Sequence, residues 1–122
     1  MSDNGGAKRL GNLGEDLAAE AYKARGYTIL ERQYHVRGIG EADLICIGQG
    51  TLVIAEVKTR SGDKWGTPEE AVNGPKRMRL RRLAEYYIHQ HGELAWADIR
   101  FDVVSVTMGN HSPYVNIIEE AF

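Results

Sequence analysis

The sequence lacks disulfide-forming cysteines and long apolar runs, and each absence excludes a class of protein. The single cysteine, Cys46, cannot form an internal disulfide, and its apolar surroundings predict a buried, inert thiol in a reducing compartment. No stretch is long and apolar enough to span a bilayer, and the N-terminus lacks the apolar core of a signal peptide. We therefore expect a cytoplasmic protein without membrane contacts.

A strong charge of one sign is also missing. The formal net charge of −2 excludes a protein that coats nucleic acid by bulk electrostatics, because such domains are usually basic. Any nucleic-acid site must therefore be a local patch. The length of 122 residues suits one domain, and we assign residues 1–8 to a flexible N-terminal tail and 9–122 to a single domain.

Apolar periodicity and the placement of glycine and proline predict the order α-β-β-β-α-β-β. The first helix is predicted over 10–24, with Leu10, Leu13, Leu17 and Ala21 as its core stripe. Strands are predicted over 27–36, 41–47, 51–59, 99–107 and 114–118. The second helix is predicted to begin at the capping box of Thr67, to be interrupted at Gly74-Pro75 and to run to about His91, with Val72, Leu80, Leu83 and Tyr87 facing the core.

The second and third strands flank Gly48-Gln49-Gly50, a spacing typical of a tight hairpin. With Gln49-Gly50 as the loop, facing residues have numbers that sum to 99. Asp43 then lies opposite Glu56, and Glu41 lies opposite Lys58, on one face of otherwise apolar strands. The hairpin should lie near the middle of a sheet, because its strands are apolar on both faces.

Two carboxylates at this spacing repel each other unless they share a proton or bind a cation. Asp and Glu oxygens are the ligands that Mg²⁺ prefers, and Lys58 is placed to orient or deprotonate a water molecule as a nucleophile. The alternative is a surface ion-pair ladder. The apolar neighbours favour the metal site, although a one-residue slip in register would change the pairing.

The motifs of this hairpin, together with those of the first helix and a later strand, resemble a known superfamily. These motifs are Gly14-Glu15, Glu41-Ala42-Asp43, Glu56-Val57-Lys58-Thr59-Arg60, Arg100-Phe101-Asp102-Val103 and the C-terminal Ala121-Phe122. They resemble the PD-(D/E)XK nuclease superfamily and specifically its uncharacterised YraN-like family, and they are similar to archaeal Holliday-junction resolvases. The resemblance covers nearly the whole chain.

The resemblance implies a restriction-endonuclease-like α/β fold, with an αβββαβ core, a central mixed sheet flanked by helices and one extra C-terminal strand. It implies that Asp43 and Glu56 bind Mg²⁺ or Mn²⁺ and that Lys58 is the catalytic lysine. Glu15 matches the acidic residue that the resolvases place beside the metal. Ala42 stands where the superfamily's name has proline.

A basic stretch over 76–82 is the candidate nucleic-acid interface, with Lys76, Arg77 and Arg79, joined by Arg60 beyond the Lys58 face. The alternative is a solvated helix face balanced by nearby acids. Lys76 is the most informative of these residues. It falls on the core stripe of Val72 and Leu80, where a lysine is expected only if its amine reaches a partner or an open cleft.

Supporting roles are assigned to Glu41, Trp65, Arg100 and Asp102. Trp65 is a candidate for stacking on an unpaired base or for packing against its own domain. Arg100 and Asp102 share a strand face and either pair with each other or support the cleft.

Our functional hypothesis is a metal-dependent endonuclease, a phosphodiesterase acting on DNA. Structured or branched DNA is suggested by analogy with the resolvases, and a homodimer would suit such a substrate. The alternative is a non-catalytic nucleic-acid-binding module on the same fold, and a third hypothesis is a protein-interaction adaptor.

Overall fold

A computed structural model describes residues 4–60, 72–109 and 112–122, with side chains from residue 11 onward. Within these residues a single five-stranded mixed sheet carries one helix on each face. The elements are α1 (Asn4–Ala24), β1 (Thr28–Val36), β2 (Gly40–Gly48), β3 (Thr51–Arg60), α2 (Gly74–Gln90), a 3₁₀ turn (Gly92–Leu94), β4 (Asp98–Thr107) and β5 (Tyr114–Ile118). The predicted αβββαβ order with an added C-terminal strand is confirmed.

The strands lie in the order β1-β2-β3-β4-β5, with β3 and β4 parallel and the other neighbours antiparallel. The β2–β3 hairpin turns at Gln49 and Gly50, whose φ angles of 53° and 77° are those that a two-residue hairpin turn needs. Gly48 pairs with Thr51, as the spacing predicts. The hairpin also takes its predicted interior place in the sheet.

Two apolar cores explain why the hairpin strands are apolar on both faces. On one side α1 packs through Ala18, Ala19 and Tyr22 against a set that includes Leu44, Cys46, Val53 and Val104. On the other side α2 packs through Leu80, Leu83, Ala84 and Tyr87 against a set that includes Ile45, Ile54 and Val103. The predicted burial of Cys46 is confirmed, and this burial raises the pKa of its thiol to about 12. No helix of the described residues is long and apolar enough to cross a membrane.

Helix α1 differs from its prediction in both its start and its buried face. It begins at Asn4 rather than at residue 10, and Leu13, predicted to face the core, is 43% exposed. The buried face instead includes Gly14, Ala18 and Tyr22. A Cβ atom on Gly14 would lie 1.8 Å from Thr59 Oγ1. The helix therefore approaches β3 through small residues, which a search for large apolar side chains misses.

Helix α2 begins where the sequence predicted an interruption. Asn73 caps it, its side chain accepting a hydrogen bond of 3.0 Å from the Lys76 N–H, and Pro75 lies in the first turn. Proline is compatible with this position because the first N–H groups of a helix have no intrahelical partner. The segment predicted to begin at Thr67, like Trp65, lies outside the described residues. Val72, just before the helix, is buried as predicted.

Candidate metal centre

The β2–β3 ladder ends at the candidate site. Its described pairs run from Gly48–Thr51 to Leu44–Ala55 in the predicted register, so the predicted direct pairs of Asp43 with Glu56 and of Glu41 with Lys58 lie beyond it. Asp43 Oδ2 instead accepts a hydrogen bond of 2.7 Å from the N–H of Val57. A carboxylate therefore satisfies a backbone donor next to the end of the ladder, and this bond fixes Asp43 beside β3.

The backbone is irregular at this position. Ala42 lies in the core beneath α2, whereas Leu44 lies in the core beneath α1, although residues two apart in a regular strand share a face. The facing part of β1 is irregular too, since Gln33 has a φ of 49°, a conformation rare for this residue type. The change of face at Asp43 directs its carboxylate toward the cleft.

Glu56 meets two ammonium groups. It is only 5% exposed and lies on the α2 face of β3, two residues beyond Ile54. Its Oε2 atom is 3.2 Å from Lys58 Nζ, and Lys76 Nζ of α2 donates a hydrogen bond to the same oxygen. Lys76 therefore has the partner that its place on the core stripe requires.

The charges at the site depend on one another. Burial, together with the nearby Glu56 carboxylate, raises the pKa of Asp43 to about 7, although the Val57 N–H opposes the shift. Burial lowers the pKa of Lys76, but the hydrogen bond and charge of Glu56 outweigh it and leave the pKa raised. The Val57 N–H and the charge of Lys76 thus compensate the Asp43 carboxylate only in part, and a bound cation would favour its ionised form further.

Glu15 reaches this region from α1. It accepts a hydrogen bond of 3.1 Å from Gln33 Nε2, and burial raises its pKa, with Glu41 adding to the effect against the opposing influence of Gln33 and Arg32. The charge of Glu15 also raises the pKa of Asp43. Sequence reasoning missed Gln33, because a glutamine in a strand carries no signal of a positive φ or of this hydrogen bond.

A cleft of about 250 Å³ gathers several of these side chains. It is lined by Glu41, Asp43, Glu56, Lys76, Arg79 and Leu80. In the described part of the chain, no group of three or more His, Cys, Asp or Glu side chains is arranged to hold a metal ion. The donors present still fit Mg²⁺, which usually takes one or two carboxylates and completes its shell with water and substrate phosphate.

The four candidate nucleic-acid-binding residues separate into two groups. Lys76 and Arg79 line the cleft, and Arg60 ends β3 two residues beyond Lys58. Arg77 lies elsewhere, because its Nε donates to the Val72 carbonyl at 2.8 Å and its guanidinium lies 5.3 Å from the centre of the Phe122 ring. The structure therefore brings Lys76 and Arg79 to the carboxylates, whereas Arg77 packs on the C-terminal residue.

Arg100 and Asp102 lie on the opposite face of the sheet. The wholly buried Asp102 accepts two hydrogen bonds of 2.9 Å from Arg100, one of 2.7 Å from the Tyr22 hydroxyl and one of 3.2 Å from the Glu120 N–H. The predicted pairing of Arg100 with Asp102 is confirmed. This fully bonded network ties α1 and the C-terminus to β4, and it does not line the cleft.

The model of Uncharacterised protein family UPF0102 matches residues 14–106, a range that includes Glu15, Lys58 and every residue that lines the cleft. The chain belongs to UPF0102. It is 43% identical over 117 residues to a UPF0102 protein of Alkaliphilus oremlandii, covering 94% of this chain and 98% of that protein. A UPF0102 protein of Moorella thermoacetica is 44% identical over 117 residues, covering 94% and 96%. One of Symbiobacterium thermophilum is 47% identical over 103 residues, covering 84% and 86%. UPF0102 membership confirms the YraN-like part of the resemblance.

Proposed function

We propose that this UPF0102 protein is a metal-dependent endonuclease, a phosphodiesterase that acts on DNA. One observation carries the proposal: Asp43 and the buried Glu56 line one cleft at the end of the β2–β3 ladder, and Lys58 Nζ lies 3.2 Å from Glu56 Oε2. Buried charges of this kind are unfavourable without a partner and commonly mark functional sites. The resemblance of the same motifs to the PD-(D/E)XK superfamily supports the same reaction.

In this proposal Asp43 and Glu56 would hold Mg²⁺ or Mn²⁺. When bound, the metal supplies a Lewis acid that polarises the phosphodiester. The Lys58 ammonium, held 3.2 Å from Glu56, orients the attacking water and stabilises charge on the phosphate. Arg79, on the cleft wall, binds a phosphate oxygen. Glu15 acts through its charge on Asp43 and through its hydrogen bond from Gln33.

A second candidate function is a nucleic-acid-binding module without turnover. It is favoured by the two lysines, Lys58 and Lys76, which already neutralise Glu56 without a metal. Such a module would bind phosphate through the cations of the cleft, and its affinity for DNA would not depend on Mg²⁺.

The test is cleavage of labelled DNAs, including single strands, duplexes, flaps and four-way junctions, in Mg²⁺ or Mn²⁺. We expect Asp43→Ala to lower the cleavage rate by at least about 100-fold, because it removes one of two metal ligands. Asp16→Ala is the matched control, since Asp16 is an exposed aspartate that pairs with Arg32 and does not line the cleft.

Unfolding curves of the three proteins show whether each variant is folded. Cutting by the wild type and Asp16→Ala, but not by Asp43→Ala, would support the nuclease and rank its substrates. Metal-independent binding without cutting by any protein would favour the binding module.

A further inference from the structure

Lys76 places a positive charge in a cleft that is proposed to bind a metal cation. The Asn73 cap fixes its backbone N–H at 3.0 Å, and Leu80, one turn later, is buried in the α2 core. Because residues four apart share a helix face, the Lys76 side chain points toward the sheet. Its ammonium group there donates to Glu56 Oε2.

The same oxygen lies 3.2 Å from Lys58 Nζ. A divalent ion bound by Glu56 would therefore meet two ammonium groups at one carboxylate in a partly buried cleft. Like charges at such distances repel strongly where water is scarce. One of the two lysines has to move when the ion enters.

Lys76 is the lysine that can leave. Lys58 lies in the parallel β3–β4 ladder, where it pairs with Ser105, and it projects from a strand in the interior of the sheet. Exposure does not distinguish the two lysines, since 29% of the Lys58 side chain and 30% of the Lys76 side chain are exposed. Lys76 differs because it lies in the first turn of α2 and lines the cleft, where its four-carbon stem allows the ammonium group to turn toward solvent. Arg79 lies on the wall of the same cleft.

We propose that Lys76 is a positioning residue that competes with the divalent cation for Glu56 and, once displaced, binds the phosphodiester. This inference rests on the proposed function. Its consequence is that metal and nucleic acid bind cooperatively, because the metal releases Lys76 and the phosphate stabilises its released position. By linkage, each ligand raises the affinity for the other by the same factor.

The test measures Mn²⁺ binding by the intact protein. Electron paramagnetic resonance reports the binding, with and without a short phosphorothioate DNA that resists hydrolysis. Lys76→Met keeps an apolar stem and removes the competing charge. We expect it to tighten Mn²⁺ binding by about 10- to 100-fold. The oligonucleotide should raise the Mn²⁺ affinity of the wild type by a clearly larger factor than that of Lys76→Met, in which only the contact of the phosphate with the ion itself remains.

Arg82→Met is the matched control. It removes one positive charge from an exposed position of the same helix that does not line the cleft, and we expect its Mn²⁺ affinity to stay within about 2-fold of the wild type. Glu56→Gln defines the site, because it should abolish the Mn²⁺ binding measured in the other proteins.

The outcomes separate the inference from the proposed function. Equal or weaker Mn²⁺ binding by folded Lys76→Met, with binding by the wild type intact, would overturn competition and leave the metal site standing. No binding by either protein, with both folded, would remove the metal site and the inference with it. Tighter binding by Lys76→Met together with a smaller oligonucleotide effect than in the wild type would support both.

Discussion

Asp43 combines a structural hydrogen bond with a charge that burial disfavours. Its carboxylate accepts from the Val57 N–H at 2.7 Å, which holds β2 to β3 beyond the last described pair of the ladder. Burial and the charge of Glu56 nevertheless raise its pKa to about 7. The fold therefore fixes this side chain in a place where its ionised form lowers stability until a cation arrives.

The raised pKa of Asp43 predicts how stability changes with pH. Below its ordinary pKa of 3.8 the carboxyl is protonated in both the folded and the unfolded chain. Between that value and about 7 only the unfolded chain loses the proton. The contribution of protonated Asp43 to the free energy of unfolding therefore falls as pH rises, and it is lost above the folded pKa. Asp43→Asn removes the titration. From pH 5 to pH 8 we expect the free energy of unfolding of the wild type to fall relative to Asp43→Asn by on the order of 2 kcal/mol.

Urea unfolding of both proteins across this range measures the difference. Asp16→Asn is the control, since Asp16 is an exposed aspartate on α1 and its variant should keep the pH dependence of the wild type. Excess Mg²⁺ should flatten the wild-type curve, because a bound cation favours the ionised carboxylate. Parallel curves for wild type and Asp43→Asn would contradict the assignment.

Helix α1 reaches the end of β3 only because residue 14 is glycine. A Cβ atom there would lie 1.8 Å from Thr59 Oγ1, whereas one on Gly11 would meet nothing within 4 Å. Gly14 also precedes Glu15, so the same close approach sets how near this carboxylate comes to Asp43. Gly14 therefore determines both the contact of α1 with β3 and the position of Glu15.

The surroundings of Gly11 and Gly14 predict opposite effects for the same substitution, glycine to alanine. We expect Gly14→Ala to lower the free energy of unfolding by about 1–3 kcal/mol through overpacking against Thr59. Gly11→Ala should raise it by about 0.5–1 kcal/mol, because alanine replaces glycine inside a helix without a clash. Thermal and urea unfolding of both variants provide the measurement.

A double variant tests the cause of the Gly14→Ala effect. Thr59→Ala removes the two outer side-chain atoms nearest to the added Cβ, so the combined loss should be smaller than the sum of the single losses. Additive losses would show that Gly14 acts through the helix backbone rather than through this contact.

The sequence predicted most elements because their signals are local. The Gly48-Gln49-Gly50 turn and the apolar runs beside it fix the hairpin register, and Lys76 on a core stripe predicts an internal partner. The buried face of α1 was predicted only in part: Leu17 and Ala21 pack against the core, but Leu13 is exposed, and Gly14 was missed because it allows a close approach rather than adding apolar area. The irregularity at Gln33 and Asp43 has no local signal, since it arises from how three elements meet.

Buried carboxylates on the two faces of the sheet differ in how fully they are hydrogen-bonded within the protein. Beneath α1, the Asp102 carboxylate accepts four hydrogen bonds, two of them from Arg100, and the network is complete within the protein. Beneath α2, Asp43 accepts a hydrogen bond from the backbone N–H of Val57, and the neighbouring cleft opens to solvent. The charge on the α1 face is satisfied within the protein, whereas the charge on the α2 face is the one that the proposed metal would compensate.

The net charge of −2 limits how the whole molecule would attract DNA under the proposed function. A negative net charge gives no long-range attraction, so affinity would have to come from the few cations at the cleft, which include Lys58, Lys76 and Arg79. Each phosphate contact contributes about −0.9 to the slope of log affinity against log salt on duplex DNA. Without divalent metal Lys76 is held on Glu56, so we expect a shallow slope of about −2 for duplex binding, from Lys58 and Arg79.

Arg79→Met should make this slope shallower by about 1, because it removes one cation from the cleft wall. Arg81→Met is the matched control on the same helix, since its guanidinium lies 5.2 Å from the centre of the Phe101 ring and outside the cleft. Fluorescence anisotropy across a salt series measures both slopes. A change caused by Arg81→Met but not by Arg79→Met would place the DNA-contacting surface on the side of α2 near Phe101 and Phe122, away from the carboxylates.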